Sequence, residues 1–322
     1  MRRNRRRGSI KIVYMGTPDF AVAPLLALMK AGHKILAVVT QPDKQKGRGK
    51  ELQMPPVKEC AVSCGIPVLQ PVKIRERESV EQLRQYPADV FVIAAFGQLL
   101  TQEILDMPKY GCINIHASLL PDYRGAAPIQ WAVINGEKKA GVTIMQMEKG
   151  LDTGDMLLKR EVEMDEKETG GSLHDKLMDL GAELIVEVLP LLEQGKIIPQ
   201  KQGECSFYAK RLSKAMGLID WNKEAVSIER LIRGLNPWPS AYAFYKGKVL
   251  KIWEADVETA DIPKEKQSPP GTVVCVEKDS FVVQTGKDAL RIRSLQLEGK
   301  KKVTARDFML GYEVSCGMRL GQ

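Results

Sequence analysis

The run Asp89-Val90-Phe91-Val92-Ile93-Ala94-Ala95 is apolar from its second residue to its last. A strand with one wet face alternates polar and apolar side chains. This run has no polar face, so it belongs in the middle of a sheet covered on both sides, as parallel sheets are. Outward from it lie further short β-branched runs at residues 10–15, 35–40 and 112–117, with another at 141–147. Between them, residues 20–31, 56–63 and 79–86 read as helices. Strand alternating with helix predicts a Rossmann-like α/β domain, a parallel sheet with crossover helices on both faces. Ligands of such sheets bind beyond the carboxyl ends of the strands, which directs attention to the residues after Met15, Ala95 and Ala117. The first of these, Met15-Gly16-Thr17-Pro18-Asp19-Phe20, holds a single glycine and lacks the GxGxxG cradle of a dinucleotide site, so a dehydrogenase is disfavoured.

With 322 residues the chain exceeds what one core of about 250 to 300 residues holds, so two domains are expected. Residues 172–193 form a long amphipathic stretch with Ser172 placed to cap it, which closes the first domain. A polar, basic passage from Gln194-Gly195-Lys196 to Ser213-Lys214 reads as the linker. Beyond it come a helix at 225–235 and short alternating runs at 241–245, 249–253, 271–276, 281–284 and 290–295, with a Pro- and Lys-rich break at 261–271. Five short strands in about a hundred residues predict a small C-terminal β-barrel, OB-like in kind. The expected boundaries are a basic, disordered extension at 1–10, a catalytic domain at 11–195, a linker at 196–214 and the barrel at 215–322.

Charge is distributed unevenly. Residues 206–322 carry 20 Lys plus Arg against 14 Asp plus Glu, residues 12–205 carry 22 against 26, and six positive charges open the chain. A basic C-terminal part on a slightly acidic body fits a polyanionic partner, or a merely solvated basic surface. The opening Met1-Arg2-Arg3-Asn4-Arg5-Arg6-Arg7 has no apolar face and reads as a solvated tail, or as an upstream start that lengthens a shorter chain. A hydrophobic content of 44% with 27% charged residues excludes fibrous and disordered classes. The longest apolar runs fall far short of the roughly 20 residues of a membrane helix, which points to the cytoplasm. Six cysteines form no CxxC pair and three histidines offer no second ligand set, so no metal site is expected and the thiols read as reduced and buried.

The chemistry concentrates at Cys112-Ile113-Asn114-Ile115-His116-Ala117, which runs on into Ser118-Leu119-Leu120-Pro121. Side chains two apart on a strand share a face, so Asn114 and His116 project together near the strand's end. An amide beside an imidazole can hold a carbonyl oxygen and trade a proton with it, which is the equipment of acyl transfer. An imidazole needs a partner to fix its tautomer, and the best carboxylate in the text is Asp152, in the turn Gly150-Leu151-Asp152-Thr153-Gly154. On the residues alone two readings stand: this catalytic set, or a satisfied core histidine and a turn-forming aspartate. Ser118 lies in no GxSxG elbow, so an attacking nucleophile would be the substrate's own.

Asn114-Ile115-His116, Ser118-Leu119-Leu120-Pro121 and Tyr123-Arg124-Gly125 together resemble the signature of the folate-dependent formyltransferases. Gly125-Ala126-Ala127-Pro128-Ile129-Gln130-Trp131, the run from Gly141 through Met156, Met15-Gly16-Thr17-Pro18-Asp19-Phe20-Ala21, Ile219-Asp220-Trp221 and Asn236-Pro237-Trp238-Pro239 are similar to the branch of that family that acts on tRNA. The resemblance extends from about Lys11 to the end of the chain. It implies transfer of the formyl group of 10-formyltetrahydrofolate to the α-amino group of methionyl initiator tRNA, without metal, by a monomeric enzyme. Asn114, His116 and Asp152 match the family's catalytic residues. Ser118, Leu119, Leu120 and Pro121 match its folate-contacting segment, and Phe96 and Gly97 line the same pocket. In the mechanism so implied, the amine attacks the formyl carbon, Asn114 and protonated His116 stabilise the oxyanion, Asp152 favours the imidazolium, and His116 returns a proton to N10. The loop Gln41-Pro42-Asp43-Lys44-Gln45-Lys46-Gly47-Arg48-Gly49-Lys50 stands where the family inserts a loop against the acceptor end of tRNA; Arg48 resembles its key arginine, with Lys44, Lys46 and Lys50 as further phosphate contacts. Two rivals remain: a sibling enzyme acting on a nucleotide-sugar amine, and a non-catalytic nucleic-acid-binding protein with a retired enzyme domain. The basic loop and basic C-terminal part argue against the first, the intact trio against the second.

Overall fold

The computed structural model describes residues 9–46, 51–259 and 268–321. They form two compact units. The first takes the described residues of Met1–Pro128, Lys139–Glu163 and His174–Ala209, the second those of Ile129–Lys138, Met164–Leu173 and Lys210–Gln322.

The strands of the first unit are β1 (Lys11–Gly16), β2 (Lys34–Val39), β3 (Lys44–Lys46), β4 (Glu51–Gln53), β5 (Val68–Leu69), β6 (Val90–Ala94), β7 (Cys112–His116), β8 (Arg124–Gly125), β9 (Lys139–Gln146), β10 (Met156–Glu163) and β11 (Tyr208–Ala209). Seven of them make one sheet in the order β10-β9-β7-β6-β1-β2-β5. The all-apolar β6 sits between β1 and β7 with every residue buried, as its lack of a polar face requires. From β5 to β7 all pairings are parallel, with α1 (Val22–Lys30), α2 (Pro56–Ser63), α3 (Arg77–Arg84) and α4 (Gln102–Leu105) in the connections.

The run at 141–147 was expected in the parallel set, but β9 lies antiparallel to β7, and β10 antiparallel to β9. The helix between β7 and β9, α5 (Pro128–Asn135), lies almost wholly in Ile129–Lys138, which belongs to the second unit, so no crossover helix of the first unit returns the chain for a parallel entry. β10 escapes sequence reading because only its first two residues are buried. The long helix α6 (Gly170–Glu193) starts before Ser172: the Thr169 hydroxyl accepts from Ser172 N at 3.0 Å and the Ser172 hydroxyl from Thr169 N at 2.9 Å, so Thr169 is the cap and Ser172 its reciprocal partner. Residues 196–209, within the stretch expected to link the domains, belong to the first unit, where Gln200 bridges Met156 and β11 pairs with β8. Residues 1–8 of the basic extension lie outside the described residues. Cys112 is buried as expected of the thiols, whereas Cys64 and Cys316 are exposed.

Where a small β-barrel is expected, the second unit holds an antiparallel sheet, and it also takes in Ile129–Lys138 and Met164–Leu173. Besides α5, its elements are α7 (Ala225–Gly234), β12 (Ala241–Tyr245), β13 (Lys248–Glu258), β14 (Val273–Val276), β15 (Phe281–Gln284), β16 (Ala289–Leu297), β17 (Val303–Thr304) and α8 (Ala305–Gly311). The strands pair antiparallel in the order β12-β13-β16-β15-β14, with β17 on β16. Ile228 and Ile232, one turn apart on α7, share a core with Leu250, Phe281, Leu290 and Phe308. α8 went unforeseen, although Thr304 and Asp307 carry its start signal: the Thr304 hydroxyl accepts from Asp307 N at 3.2 Å.

Candidate active site

Four parallel strands deliver their carboxyl ends to one edge of the sheet. The Phe96 carbonyl, after β6, accepts from the Thr17 hydroxyl at 3.1 Å and from Gln41 Nε2 at 3.2 Å, so the loops after β1, β2 and β6 are joined. Gly16 is obligatory there, since a Cβ would fall 2.6 Å from that of Ala21. The Phe96 ring is buried in the core, so what this residue offers a ligand is main chain; Gly97, exposed and at φ +84°, lets the chain turn there.

The fourth end is β7. Asn114 and His116 sit on one face of it, opposite Met145 and Thr143 of β9, and both are largely buried. His116 Nε2 lies 3.0 Å from the Tyr123 carbonyl oxygen, which can only accept. That nitrogen therefore carries a proton, and Nδ1 is the one left to exchange. Nδ1 faces Asp152 Oδ1 at 3.8 Å, too long for a hydrogen bond but close enough for direct charge interaction. Asp152 stands at φ +53°, a left-handed conformation that aspartate tolerates better than most residues, and its other oxygen, Oδ2, accepts from Gly125 N at 3.0 Å. Among the described residues no group hydrogen-bonds to the Asn114 side-chain amide. His116 and Asp152 are thus brought together, with Asn114 on the strand face that it shares with His116; among the described residues the Asn114 amide and His116 Nδ1 make no hydrogen bond.

The segment after β7 is braced. Buried Thr143 donates to the Ser118 carbonyl at 2.7 Å and accepts from Leu120 N at 3.1 Å, and the Ser118 hydroxyl donates to the Asp122 carbonyl at 2.8 Å. Leu120 is fully buried against Met145 and Met156, so its side chain anchors the loop and is not presented to a ligand. Ser206 donates to Asp122 Oδ1 from its main chain at 2.8 Å and its hydroxyl at 2.7 Å, and Tyr123 N donates to the Phe207 carbonyl at 2.8 Å. Sequence reasoning missed this strap. It also missed Gln202, whose Nε2 donates to the carbonyls of Asp152 at 2.9 Å and Gly154 at 2.7 Å, and whose Oε1 accepts from Arg124 Nε at 2.9 Å. Missed too are exposed Leu99 and Leu151, apolar side chains on the two loops that carry Gly97 and Asp152.

Of the predicted tRNA contacts, Lys44 is exposed on β3 and Lys46 ends that strand, which pairs with β4; Arg48 and Lys50 lie outside the described residues. The hairpin's base is fixed by Lys58, which donates to Asp43 at 2.6 Å and to Gln70 Oε1 at 2.7 Å, while Gln70 Nε2 donates to Asp43 Oδ1 at 2.8 Å. These two donors, Lys58 first, hold the Asp43 carboxyl below its ordinary range. A cavity of ≈ 330 Å³ opens beside Gly154, lined among others by Gln146, Glu148, Asp155 and Lys201; none of the trio lines it. Among the described residues no three His, Cys, Asp or Glu groups converge as a metal site, and no helix is long and apolar enough to cross a membrane.

Residues 10–189 match the family described as Formyl transferase, and residues 211–313 the family described as Formyl transferase, C-terminal domain. The Methionyl-tRNA formyltransferase of Lachnospira eligens is 54% identical over 317 residues, covering 97% of this chain and 100% of that protein. That of Clostridioides difficile is 48% identical over 313 residues, with 97% and 100% covered. Among solved structures, WlaRD, a sugar 3N-formyl transferase, superposes with a TM-score of 0.65 at 19% identity over 91% of this chain and 100% of its own. HypX from Aquifex aeolicus in complex with tetrahydrofolic acid gives 0.63 at 17% over 97% of this chain, which spans 51% of HypX.

Proposed function

The chain belongs to the formyl transferase family, and we propose that Asn114, His116 and Asp152 carry out its reaction: transfer of the formyl group of 10-formyltetrahydrofolate to the α-amino group of methionyl initiator tRNA. The relatives named for that reaction match at about half identity along 97% of the chain, whereas the sugar-acting WlaRD shares the fold at 19% identity. The single observation that supports the catalytic assignment is the meeting of His116 Nδ1 and Asp152 Oδ1 at 3.8 Å beside an uncommitted Asn114 amide.

The site fits the folate co-substrate, which supplies an activated formyl carbon. The Asn114 amide is a free donor for the formyl oxygen as it gains negative charge, the term that usually dominates acyl transfer. His116, held through Nε2 by the Tyr123 carbonyl, uses Nδ1 for the proton that the attacking amine gives up and the leaving nitrogen takes. Asp152 faces that nitrogen when it is charged. The main chain of Ser118, Leu119, Pro121, Phe96 and Gly97 forms the wall on which the folate rests, with Leu99 and Leu151 as apolar covers. On the acceptor side, Lys44, Lys46, Arg48 and Lys50 take the phosphates at the tRNA's acceptor end, and the basic second unit contacts the stem. The enzyme works as a monomer in the cytoplasm.

The experiment is a comparison of acceptors with 10-formyltetrahydrofolate: methionyl initiator tRNA, free methionine and a nucleotide-linked amino sugar. Formyl transfer confined to the tRNA is expected. Faster transfer to the sugar would replace this reading by its rival.

A further inference from the structure

We propose that Gln202 is a positioning residue that sets the separation of His116 and Asp152. This rests on the reading that those two side chains act together. Gln202 lies on the segment after α6, fifty residues beyond Asp152, and hydrogen-bonds to neither side chain of the pair. Its amide is committed at both ends. The nitrogen gives its two protons to the carbonyls of Asp152 and Gly154, and the oxygen accepts from Arg124 Nε. Two acceptors at one end and a donor at the other leave one orientation of the amide.

Arg124 stands between the two residues whose main chain holds the pair. Tyr123 on one side offers the carbonyl that binds His116 Nε2, and Gly125 on the other offers the N–H that binds Asp152 Oδ2. A second guanidinium nitrogen of Arg124 donates to the Gly203 carbonyl at 3.0 Å, so the arginine grips both Gln202 and its neighbour. Gln202 therefore ties the peptide that orients the imidazole to the turn that carries the carboxylate. Asp152 needs such a tie, because its left-handed backbone sits in a turn that is otherwise half exposed. Catalytic groups must be held to about half an ångström, and a misplacement of about 1 Å costs on the order of 100-fold.

The test uses the full chain and three variants. Gln202→Leu removes all three bonds and should lower kcat about 10- to 100-fold while KM for folate and tRNA stays within about threefold. Gln202→Glu keeps the acceptor for Arg124 but turns an oxygen toward the two carbonyls. It should be as slow as the leucine variant at neutral pH, and its rate relative to wild type should rise as the pH falls, because the introduced carboxyl regains a proton to donate. That pH dependence is not expected of a merely structural residue, and it can be read even where the leucine variant folds poorly. In the Asp152→Asn background, Gln202→Leu should cost nothing further, since residues acting as one unit are not additive. A Gln202→Leu variant within about threefold of wild type, a Gln202→Glu ratio flat in pH, or losses that multiply with Asp152→Asn would each overturn the proposal. Near-normal turnover of Asp152→Asn alone would overturn the reading of the site as well, and so separates the two failures.

Discussion

Gly154→Ala adds one carbon atom where the turn has no room for it. A Cβ at position 154 would stand 1.9 Å from the carbonyl oxygen of Gln146, where real Cβ contacts essentially never fall under 3.0 Å. Gln146 cannot give way easily: it is the last residue of β9, its side chain donates to the Cys112 carbonyl at 3.1 Å, and the next residue, Met147, donates to the same carbonyl at 2.7 Å. The turn must therefore move, by about 1.1 Å from 1.9 to 3.0 Å, and Asp152 lies two residues upstream in it. A shift of about 1 Å at a catalytic group costs on the order of 100-fold in rate, while overpacking typically costs about 1–3 kcal/mol of stability. Gly154→Ala is thus expected to fold, to melt somewhat lower, and to lose about two orders of magnitude in kcat measured with saturating formylfolate and methionyl-tRNA. Gly311→Ala, where the added Cβ meets nothing within 4 Å, is the control and should be neutral in both measurements. Turnover of Gly154→Ala within about threefold of wild type would mean that the turn's position does not govern the rate.

His116→Ala should lower turnover at least about 100-fold with tRNA affinity unchanged, and near-normal turnover would remove the imidazole from the mechanism. Thr143→Val keeps the shape but strands the Ser118 carbonyl and the Leu120 N–H in the core; a loss of about 1–3 kcal/mol in thermal or urea unfolding is expected, and an unchanged midpoint would mean that water replaces the hydroxyl. Asp43 is held below 3.8 by Lys58 and Gln70, so the hairpin anchor is in place above the ordinary carboxylate pKa and is lost only as the pH falls through the depressed value. An NMR titration should place the Asp43 midpoint below 3.8, and Lys58→Met should move it back up; a midpoint unmoved by Lys58→Met would assign the depression to another cause.

Alternation and face-sharing are properties of neighbouring residues, and those were legible. The apolar run at 89–95 became the central strand β6, and the pairing of Asn114 with His116 on one face follows from a spacing of two. The pair of helix starts at Thr169 and Thr304 is equally written in the sequence, as a hydroxyl three residues before Ser172 and Asp307, but glycines and lysines around them mask the periodicity. The antiparallel turn of β9 was not legible, because it depends on which unit claims the intervening helix.

What holds the site together left no pattern at all, for a physical reason. His116 is oriented by the carbonyl of Tyr123, Asp152 by the N–H of Gly125 and, through its own carbonyl, by Gln202. Every residue but proline carries the main-chain groups used here, so such partners have no signature in residue type. Their sequence separations run from 7 to 50 residues, and only the closed fold brings them together. The reacting side chains must have particular chemistry and so announce themselves, while the groups that aim them need only be in the right place. It follows that variants which damage this site without touching its chemistry should fall at close-packed turn and strap positions, Gly154 and Gln202 first, where the main chain and not the side chain of the catalytic residue is what is gripped.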